Sequence, residues 1–257
     1  MNFIEQYRSL KTLTVKEIQR FFRIWQQTLI PSVVTTILYF VIFGSFIGTR
    51  IGQMGGFDYM QFMAPGLIML AVITNAYSNV VSSFYGVKFS KSIEELLVSP
   101  MPTYLILLGF VAGGVVRGIL VGILVMVTSL LFTDIHVQNI PLTLLVIFLT
   151  AVLFSLAGLL NAIFADSFDD INIVPTFVLT PLIYLGGVFY SITLLSETWQ
   201  IISKLNPVLY MVNAFRYGML GVSDINVSVA IGMILFFIII FYSLSLYILK
   251  KGIGIRS

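Results

Sequence analysis

Cysteine is absent from the 257 residues and charge is scarce, since only 10% of the residues are Asp, Glu, Lys or Arg. The lack of cysteine excludes disulfides, thiolate metal sites and cysteine nucleophiles. Soluble domains carry about 25% charged residues, so the low charge content excludes an ordinary soluble protein. Hydrophobic residues predominate instead: they make up 58% of the sequence, and the mean hydropathy is +1.03. The sequence is that of a polytopic membrane protein.

The sequence also lacks the residue combinations of common active sites. The dipeptide Gly-Lys does not occur, so there is no phosphate-binding loop of the G-x-x-x-x-G-K-[ST] type. His136 is the only histidine, and it falls in a predicted outer loop. It therefore supplies neither a histidine pair for a metal nor the base of a serine triad. We expect no enzyme activity, cofactor or metal on this chain, and no nucleic acid as a partner.

Six apolar segments are long enough to cross a bilayer core of about 30 Å, which needs about 20 helical residues. Of the 14 basic residues, 10 fall on one side of these segments and 3 on the other. The 10 include Lys88 and Lys91 between spans two and three, and Lys250, Lys251 and Arg256 at the end of the chain. By the positive-inside rule, both termini and the Lys88 loop face the cytoplasm. The predicted spans are Leu29–Gly48, Met60–Ser82, Leu105–Phe132, Leu142–Phe164, Ile171–Tyr190 and Val227–Leu249.

Residues 1–28 predict a cytoplasmic interfacial helix ahead of the six-helix bundle (29–249) and a basic tail (250–257). Thr14-Val15-Lys16-Glu17 has the form of a capping box. The start of the sequence is too polar for a signal peptide. A basic helix with aromatics on its apolar face typically lies along the membrane surface. A disordered tail is the alternative. The apolar face would hold Ile18, Phe21, Phe22 and Trp25, opposite Lys16, Arg20 and Arg23.

The segment between spans five and six is too apolar for a simple loop and too interrupted for a span. Asn206 can cap a helix that has Pro207 at its first position, and Gly221 can end it. We expect two short helices, Glu197–Lys204 and Pro207–Leu220, that enter the outer leaflet without crossing it. Such structure must be covered by protein or face a cavity. The candidate residues of this outer segment are Asn206, Pro207, Tyr210 and Arg216.

Charge concentrates in KFSKSIEELLVSPMP, Lys88–Pro102, between spans two and three. The Ser-Ile-Glu-Glu sequence has the form of a capping box, and Pro100 disfavours helix at the residue before it. The segment therefore predicts a helix from Ile93 to Val98 or Ser99, which is marginal alone in water. It is either an apolar knob offered to a cytosolic partner or an ordinary connector. The candidate contact residues are Ser92, Ile93, Glu94, Glu95, Leu96 and Leu97.

Arg117 lies near the middle of span three, where an arginine costs about 2.5–3.5 kcal/mol on insertion. We expect it to face the bundle interior and to pair with Asn75, Asn79 or backbone carbonyls, although a substrate role stays open. Glycines at every fourth position of the same span leave a bare groove that allows close helix contact. Packing within one chain is the expected use of this groove, and sliding during transport is the alternative. These glycines are Gly114, Gly118 and Gly122.

Three acids precede span five at its cytoplasmic end: Asp166, Asp169 and Asp170, with Ser167 able to cap the helix. Acids at a helix N-terminus stabilise it by about 0.3–1 kcal/mol each. That suffices as a structural explanation, and contact with a cytosolic partner is the second interpretation.

Four segments resemble, in the same order, the ABC-2 family of ATP-binding-cassette permeases. They are YMQFMAPGLIML, SIEELLVSPMP, ADSFDDINIVPTFVLTPLIYLGGVFYS and LNPVLYMVNAFRYGMLG, and the resemblance covers essentially the whole chain. It implies an all-α polytopic membrane protein of the bacterial inner membrane, with six transmembrane helices, an N-terminal interfacial helix, a short cytoplasmic coupling helix and two outer re-entrant helices. It further implies an exporter in which two copies of the chain pair with two ATPase subunits, which bind ATP-Mg and contact the coupling helix.

Two other functions remain open from the residues. An ion-driven secondary transporter would want acids within its spans, yet all 11 acids fall in loops or at span ends. A non-transporting scaffold needs the cytoplasmic helix but gives no reason for Arg117 or the outer helices. The spans offer little fixed charge, so we expect an apolar, aromatic path, membrane lipid around it, and a lipid-like, amphipathic or glycan-lipid cargo.

Overall fold

The computed structural model describes residues 2–254, apart from the side chains at positions 45–47 and 49. Arg256 and the last residues of the predicted tail lie outside this range. Five helical runs are long and apolar enough to cross a membrane. They are Trp25–Gly44, α5 (Tyr59–Phe89), α7 (Thr103–Ser129), α8 (Ile140–Phe164) and α13 (Val227–Lys251).

The chain begins with a longer helix than the sequence predicts. Helix α1 spans Phe3–Arg23, and its capping box is formed by Asn2 and Glu5, whose carboxylate accepts a bond from the Asn2 N–H at 2.8 Å. Thr14 lies inside this helix, so the predicted start there is wrong. The chain continues as α2 (Trp25–Thr28), α3 (Ile30–Tyr39), a π-helix (Phe40–Gly48) and α4 (Thr49–Ile51), and the first span, Trp25–Gly44, lies within this run. A small antiparallel hairpin, β1 (Gln53–Met54) and β2 (Phe57–Asp58), then leads into α5.

The predicted fifth span is shorter than expected. It consists of α9 (Asp170–Val174), a π-turn (Pro175–Leu179) and α10 (Thr180–Leu185), and it ends before Gly187, whose φ is +72°. Proline lacks the N–H of a regular helix, and the Thr180 hydroxyl donates to the Pro175 carbonyl at 2.9 Å within the widened turn. The run Asp170–Leu185 is therefore a short apolar helix rather than a full-length span.

The two short helices predicted after the fifth span have the predicted bounds, α11 at Glu197–Lys204 and α12 at Pro207–Leu220, after a 3-10 turn at Ile192–Leu194. The Asn206 side chain accepts a bond from the Val208 N–H at 2.9 Å, and Gly221 ends α12 with a φ of +74°. The local capping signals were sufficient to place both ends of α12.

Helix α5 lies at the centre of the fold, with α7 and α8 packed against it. The glycines of α7 allow this approach. A Cβ atom on Gly114 would come within 2.9 Å of the Ala76 carbonyl oxygen on α5 and would also meet Ser155 on α8. Gly118 and Gly122 face the same two helices. The glycine groove is thus filled within one chain.

We predict that Gly114→Ala destabilises the protein by about 1–3 kcal/mol, because the added methyl group overpacks the contact with α5 and α8. Gly86→Ala on α5 is the matched control, since a Cβ atom there meets nothing within 4 Å. Thermal unfolding in detergent measures both. Equal melting temperatures for the two variants would contradict the close packing.

Candidate functional site

Helix α6, the predicted coupling helix, spans Ser92–Val98, as the sequence predicted to within one residue. Its capping box does not form, because the N-cap is Lys91 and no side chain caps the helix. Lys91 instead adopts a left-handed conformation with φ of 59°, a strained geometry for a non-glycine residue that turns the chain sharply out of α5.

Side chains of α6 divide into an anchored side and an exposed side. Ile93 is 1% exposed, and Leu96 and Leu97 are half-buried against the chain's own core. The predicted apolar knob is therefore largely used inside the protein. The exposed groups are Glu94, Glu95 and Val98, the last with 87% of its surface accessible. A partner would meet an acidic surface with one apolar centre.

Lys88, in the last turn of α5 just ahead of α6, ties this end of α5 to the loop that precedes α9. Its ammonium group donates to the carbonyl oxygens of Ile163 and Ala165 at 2.8 and 2.7 Å, at the end of α8, and lies 3.6 Å from the Asp166 carboxylate. A cation is favoured at this end of a helix because it faces the negative pole of the helix dipole. The segment that carries α6 and the loop before α9 are therefore held side by side.

The acids in the loop before α9 have two different roles. The Asp170 carboxylate accepts bonds from the N–H groups of Asp166 and Ser167 at 3.0 and 2.9 Å, and the Ser167 hydroxyl accepts from the Asp170 N–H at 3.1 Å. Asp170 thus closes its own turn. Asp166 and Asp169 point to solvent. We call Glu94, Glu95, Val98, Asp166 and Asp169 the acidic surface.

A polar network lies deeper, where α1, α5 and α7 meet. Arg117 donates to the Asn75 side-chain oxygen at 3.0 and 3.3 Å, and Asn75 donates to the Ser32 hydroxyl at 3.1 Å. Asn79, the other expected partner, belongs instead to Arg20, which reaches its carbonyl and side-chain oxygens at 2.8 and 2.9 Å. Arg117 thus faces the bundle interior.

A cavity of about 470 Å³ lies between the hairpin region before α5 and the segments around α12, and Arg216 and Asp224 are the charged residues that line it. Arg216 is 1% exposed, lies 3.9 Å from the centre of the Phe62 ring and donates to the Gly187 carbonyl at 2.7 Å. Asp224 lines the same cavity and accepts from the Ser191 hydroxyl at 2.7 Å. Of the other predicted residues, Asn206 caps α12 and donates to the Leu182 carbonyl, and Tyr210 donates to the Lys204 carbonyl. The Asn206 contact joins the start of α12 to α10, and the Tyr210 contact joins α12 to α11.

An aromatic cluster joins the first span to α10 and the turn after it. The ring of Phe189 lies 5.3 Å from Tyr39, 5.2 Å from Phe43 and 5.7 Å from Tyr184, measured between ring centres. The hydroxyl groups of Tyr39 and Tyr184 lie 3.3 Å apart. This cluster gives the surface between the first span and α10 an aromatic character with phenol hydroxyl groups.

Residues 8–220 match the family model described as ABC-2 type transporter. The chain belongs to the ABC-2 type transporter family. It is 57% identical over 249 residues, 97% of each chain, to the inner membrane transport permease YadH of Escherichia coli (strain K12). It is also 23% identical over 232 residues to nodulation protein J of Rhizobium leguminosarum bv. viciae, covering 88% of this chain and 90% of that one.

Family membership makes the chain a membrane permease of an ABC transporter, whose association with an ABC ATPase the family implies. It agrees with the apolar spans of the structure and with a multi-pass protein of the inner membrane. The resemblance of the four sequence segments is confirmed.

Two residues of the ABC-2 chain that sequence reasoning missed are Glu17 and Arg20. Glu17 is 1% exposed and accepts a bond from the Ser83 hydroxyl, and its carboxylate lies 3.5 Å from Arg20. Arg20, which the sequence placed opposite the apolar face of α1, bonds to Asn79 of α5. Burial lowers the pKa of Arg20, and the Glu17 charge opposes that shift. The signal was the spacing of Leu13, Glu17 and Phe21, which are the buried residues of α1.

These residues dock α1 alongside α7. Contacts between Gln6 and Tyr104, Leu13 and Gly109, and Glu17 and Gly113 advance in the same direction on both helices. A Cβ atom on Gly113 would come within 2.6 Å of the Glu17 Cβ atom. Helix α1 is therefore packed along the bundle, a contact that the predicted surface helix does not include.

We predict that Arg20→Met destabilises the protein by about 2 kcal/mol, because it leaves the buried Glu17 carboxylate with Ser83 alone. Glu17→Gln in the same chain recovers part of this loss, since it removes the unpaired charge. Arg23→Met is the control, because Arg23 lies exposed in the same last turn of α1. If Arg20→Met and Arg23→Met melt at one temperature, the network contributes nothing to stability.

Proposed function

We propose that this chain is the translocating subunit of an ATP-driven exporter and that the acidic surface is its contact with the ATPase. The observation that carries the proposal is the exposure of Glu94, Glu95 and Val98 on a short helix whose other side is anchored in the bundle. An anchored helix with an exposed face transmits a push from a partner into α5, from which it emerges.

In the proposed assembly, two copies of the chain pair in the membrane and each contacts one ATPase, which holds ATP-Mg. Both termini and α6 face the cytoplasm, and Asp170–Leu185 completes a sixth crossing together with the residues that follow it. The basic residues near α6 and after α13 support this orientation. The outer helices α11 and α12 then lie in the outer leaflet.

Ion coupling is the less favoured mechanism. All 11 acids lie among residues 2–254, and none of them falls within the five long helical runs. Glu17, the acid that is buried, has Arg20 beside it, and a nearby cation favours the charged carboxylate over the protonated form. A carboxylate held in this way is a poor proton carrier.

The cargo we propose is lipid-like, amphipathic or a glycan-lipid. Tyr39, Phe43, Tyr184 and Phe189 give the surface between the first span and α10 an aromatic character with phenol groups but no charge. Such a surface accepts hydrocarbon and sugar rings more readily than a small hydrated ion.

The test is co-purification of the detergent-solubilised chain with its candidate ATPase. We predict that Glu94→Lys/Val98→Asp lowers the ATPase activity recovered per permease by about tenfold, because the exposed contact is altered in charge and polarity. Val98 is preferred to Leu97, since Leu97 is half-buried and its replacement would disturb folding.

Glu197→Lys/Leu194→Asp is the matched control, because it makes the same charge changes at exposed positions of the proposed outer side. This control should retain the ATPase. Equal retention by both double variants would show that α6 is not the contact, and the absence of any bound ATPase from wild type would reopen the ion-driven and scaffold functions.

A further inference from the structure

An apolar cavity of about 360 Å³ lies between α8, the short helical run Asp170–Leu185 and α13. One face of α8 lines it, including Ala157 and Phe164, and Leu182 and Phe241 contribute from the other two sides. Every lining residue except Tyr77 and Asn161 offers only hydrocarbon. A water molecule in such a cavity needs two to four polar partners, so water is a poor occupant.

The depth of the cavity matches one leaflet of a bilayer. Its lining on α8 runs from Leu153 to Phe164, the last residue of the helix, which is about 16 Å at 1.5 Å per residue. Half of a hydrocarbon core of about 30 Å is about 15 Å. The cavity therefore extends from the end of α8 to about the middle of the membrane, where Leu182 and Pro207 close it.

The cavity is accessible from the surrounding membrane. Phe164 and Val178 stand on its rim with 57% and 49% of their surfaces exposed. An empty apolar cavity loses dispersion contacts along all of its walls, so an occupant that restores them is favoured. The solvent at this depth is hydrocarbon, and the chains of neighbouring lipids are the molecules that can enter.

Polar groups lie where a lipid would need them. Asn161 is one turn from the end of α8, and the Tyr77 hydroxyl beside it is buried and donates to no acceptor within residues 2–254. The end of α13 approaches the same end of α8, since a Cβ atom on Gly254 would lie 3.0 Å from the Ile163 carbonyl oxygen. Lys250 and Lys251 are exposed there, at the level of phosphate groups.

We propose that this cavity is a lipid site that holds one acyl chain of a phospholipid from the cytoplasmic leaflet. The Tyr77 hydroxyl group donates a hydrogen bond to the ester carbonyl oxygen of the lipid. The phosphate group of the lipid lies near the lysines of α13. The site does not depend on the proposed ATPase contact, because it is built only from spans of this chain.

Occupation of the site bears on the aromatic cluster. Residues two apart on a helix point to different sides, so Leu182 faces the cavity while Tyr184 contacts Tyr39. A lipid chain in the cavity thus packs against the side of α10 opposite to the aromatic cluster that we assign to the path. Loss of the chain leaves α10 without that support.

Native mass spectrometry of the full-length protein released from phospholipid nanodiscs tests the site. We expect wild type to keep one phospholipid and Ala157→Phe, which fills the cavity, to lower the lipid-bound fraction by about tenfold. Gly232→Phe is the control, because a side chain there points into open space on α13. Equal lipid retention by the two variants would overturn the proposal, since it would reflect lipid around the whole surface.

A second measurement covers the case in which Ala157→Phe folds poorly. Phe241→Trp in a chain with Trp25→Phe and Trp199→Phe places one fluorophore at the cavity, and Phe236→Trp places it on the exposed side of α13. Phospholipids brominated on the acyl chain should quench both reporters. An excess of unlabelled lipid is then added, and the recovery of fluorescence at both positions is followed over minutes. If the fluorescence recovers at the same rate at both positions, the cavity holds no bound chain. Slower recovery at position 241 than at position 236 supports the site.

Discussion

Helix α7 has to bring its backbone close to three other helices, and the glycines on its surface make that approach possible. Gly109 and Gly113 face α1, while Gly114, Gly118 and Gly122 face α5 and α8. Lipid tails are as apolar as leucine, so helices in a membrane associate through close packing and hydrogen bonds rather than through the hydrophobic effect. The arrangement of α1, α5 and α8 around α7 therefore depends on the absence of a side chain at these glycines.

The same arrangement places the polar groups. Asn75 and Asn79 project from α5 toward Arg117 and Arg20, so one helix holds the cations of two others. Helix α5 also leads into α6, which carries Glu94, Glu95 and Val98 of the acidic surface. A force applied to α6 acts on the helix to which α1 and α7 are bonded, and α1 continues into the first span with its aromatic residues.

The sequence was sufficient where the signals are local. Asn206-Pro207 and Gly221 gave both ends of α12, and Pro100 with the preceding charges gave the extent of α6. It failed where the partner is distant: Arg20 bonds to Asn79, 59 residues away, and the amphipathic pattern only placed it opposite the apolar face of α1. The shortened fifth span depends on a π-turn at Pro175, which hydropathy does not register. The side of α6 that is buried was likewise decided by tertiary packing.

The central claim is that α6 presents its exposed face to an ATPase, and site-specific photo-cross-linking tests it most directly. A photoreactive residue is placed at position 98, and the same residue at position 194 serves as the comparison, since both side chains are exposed. If α6 is the contact, an adduct between the permease and the ATPase forms from position 98 and none forms from position 194. An intact complex that yields no adduct from position 98, or one that yields it from position 194, would show that α6 is not the contact.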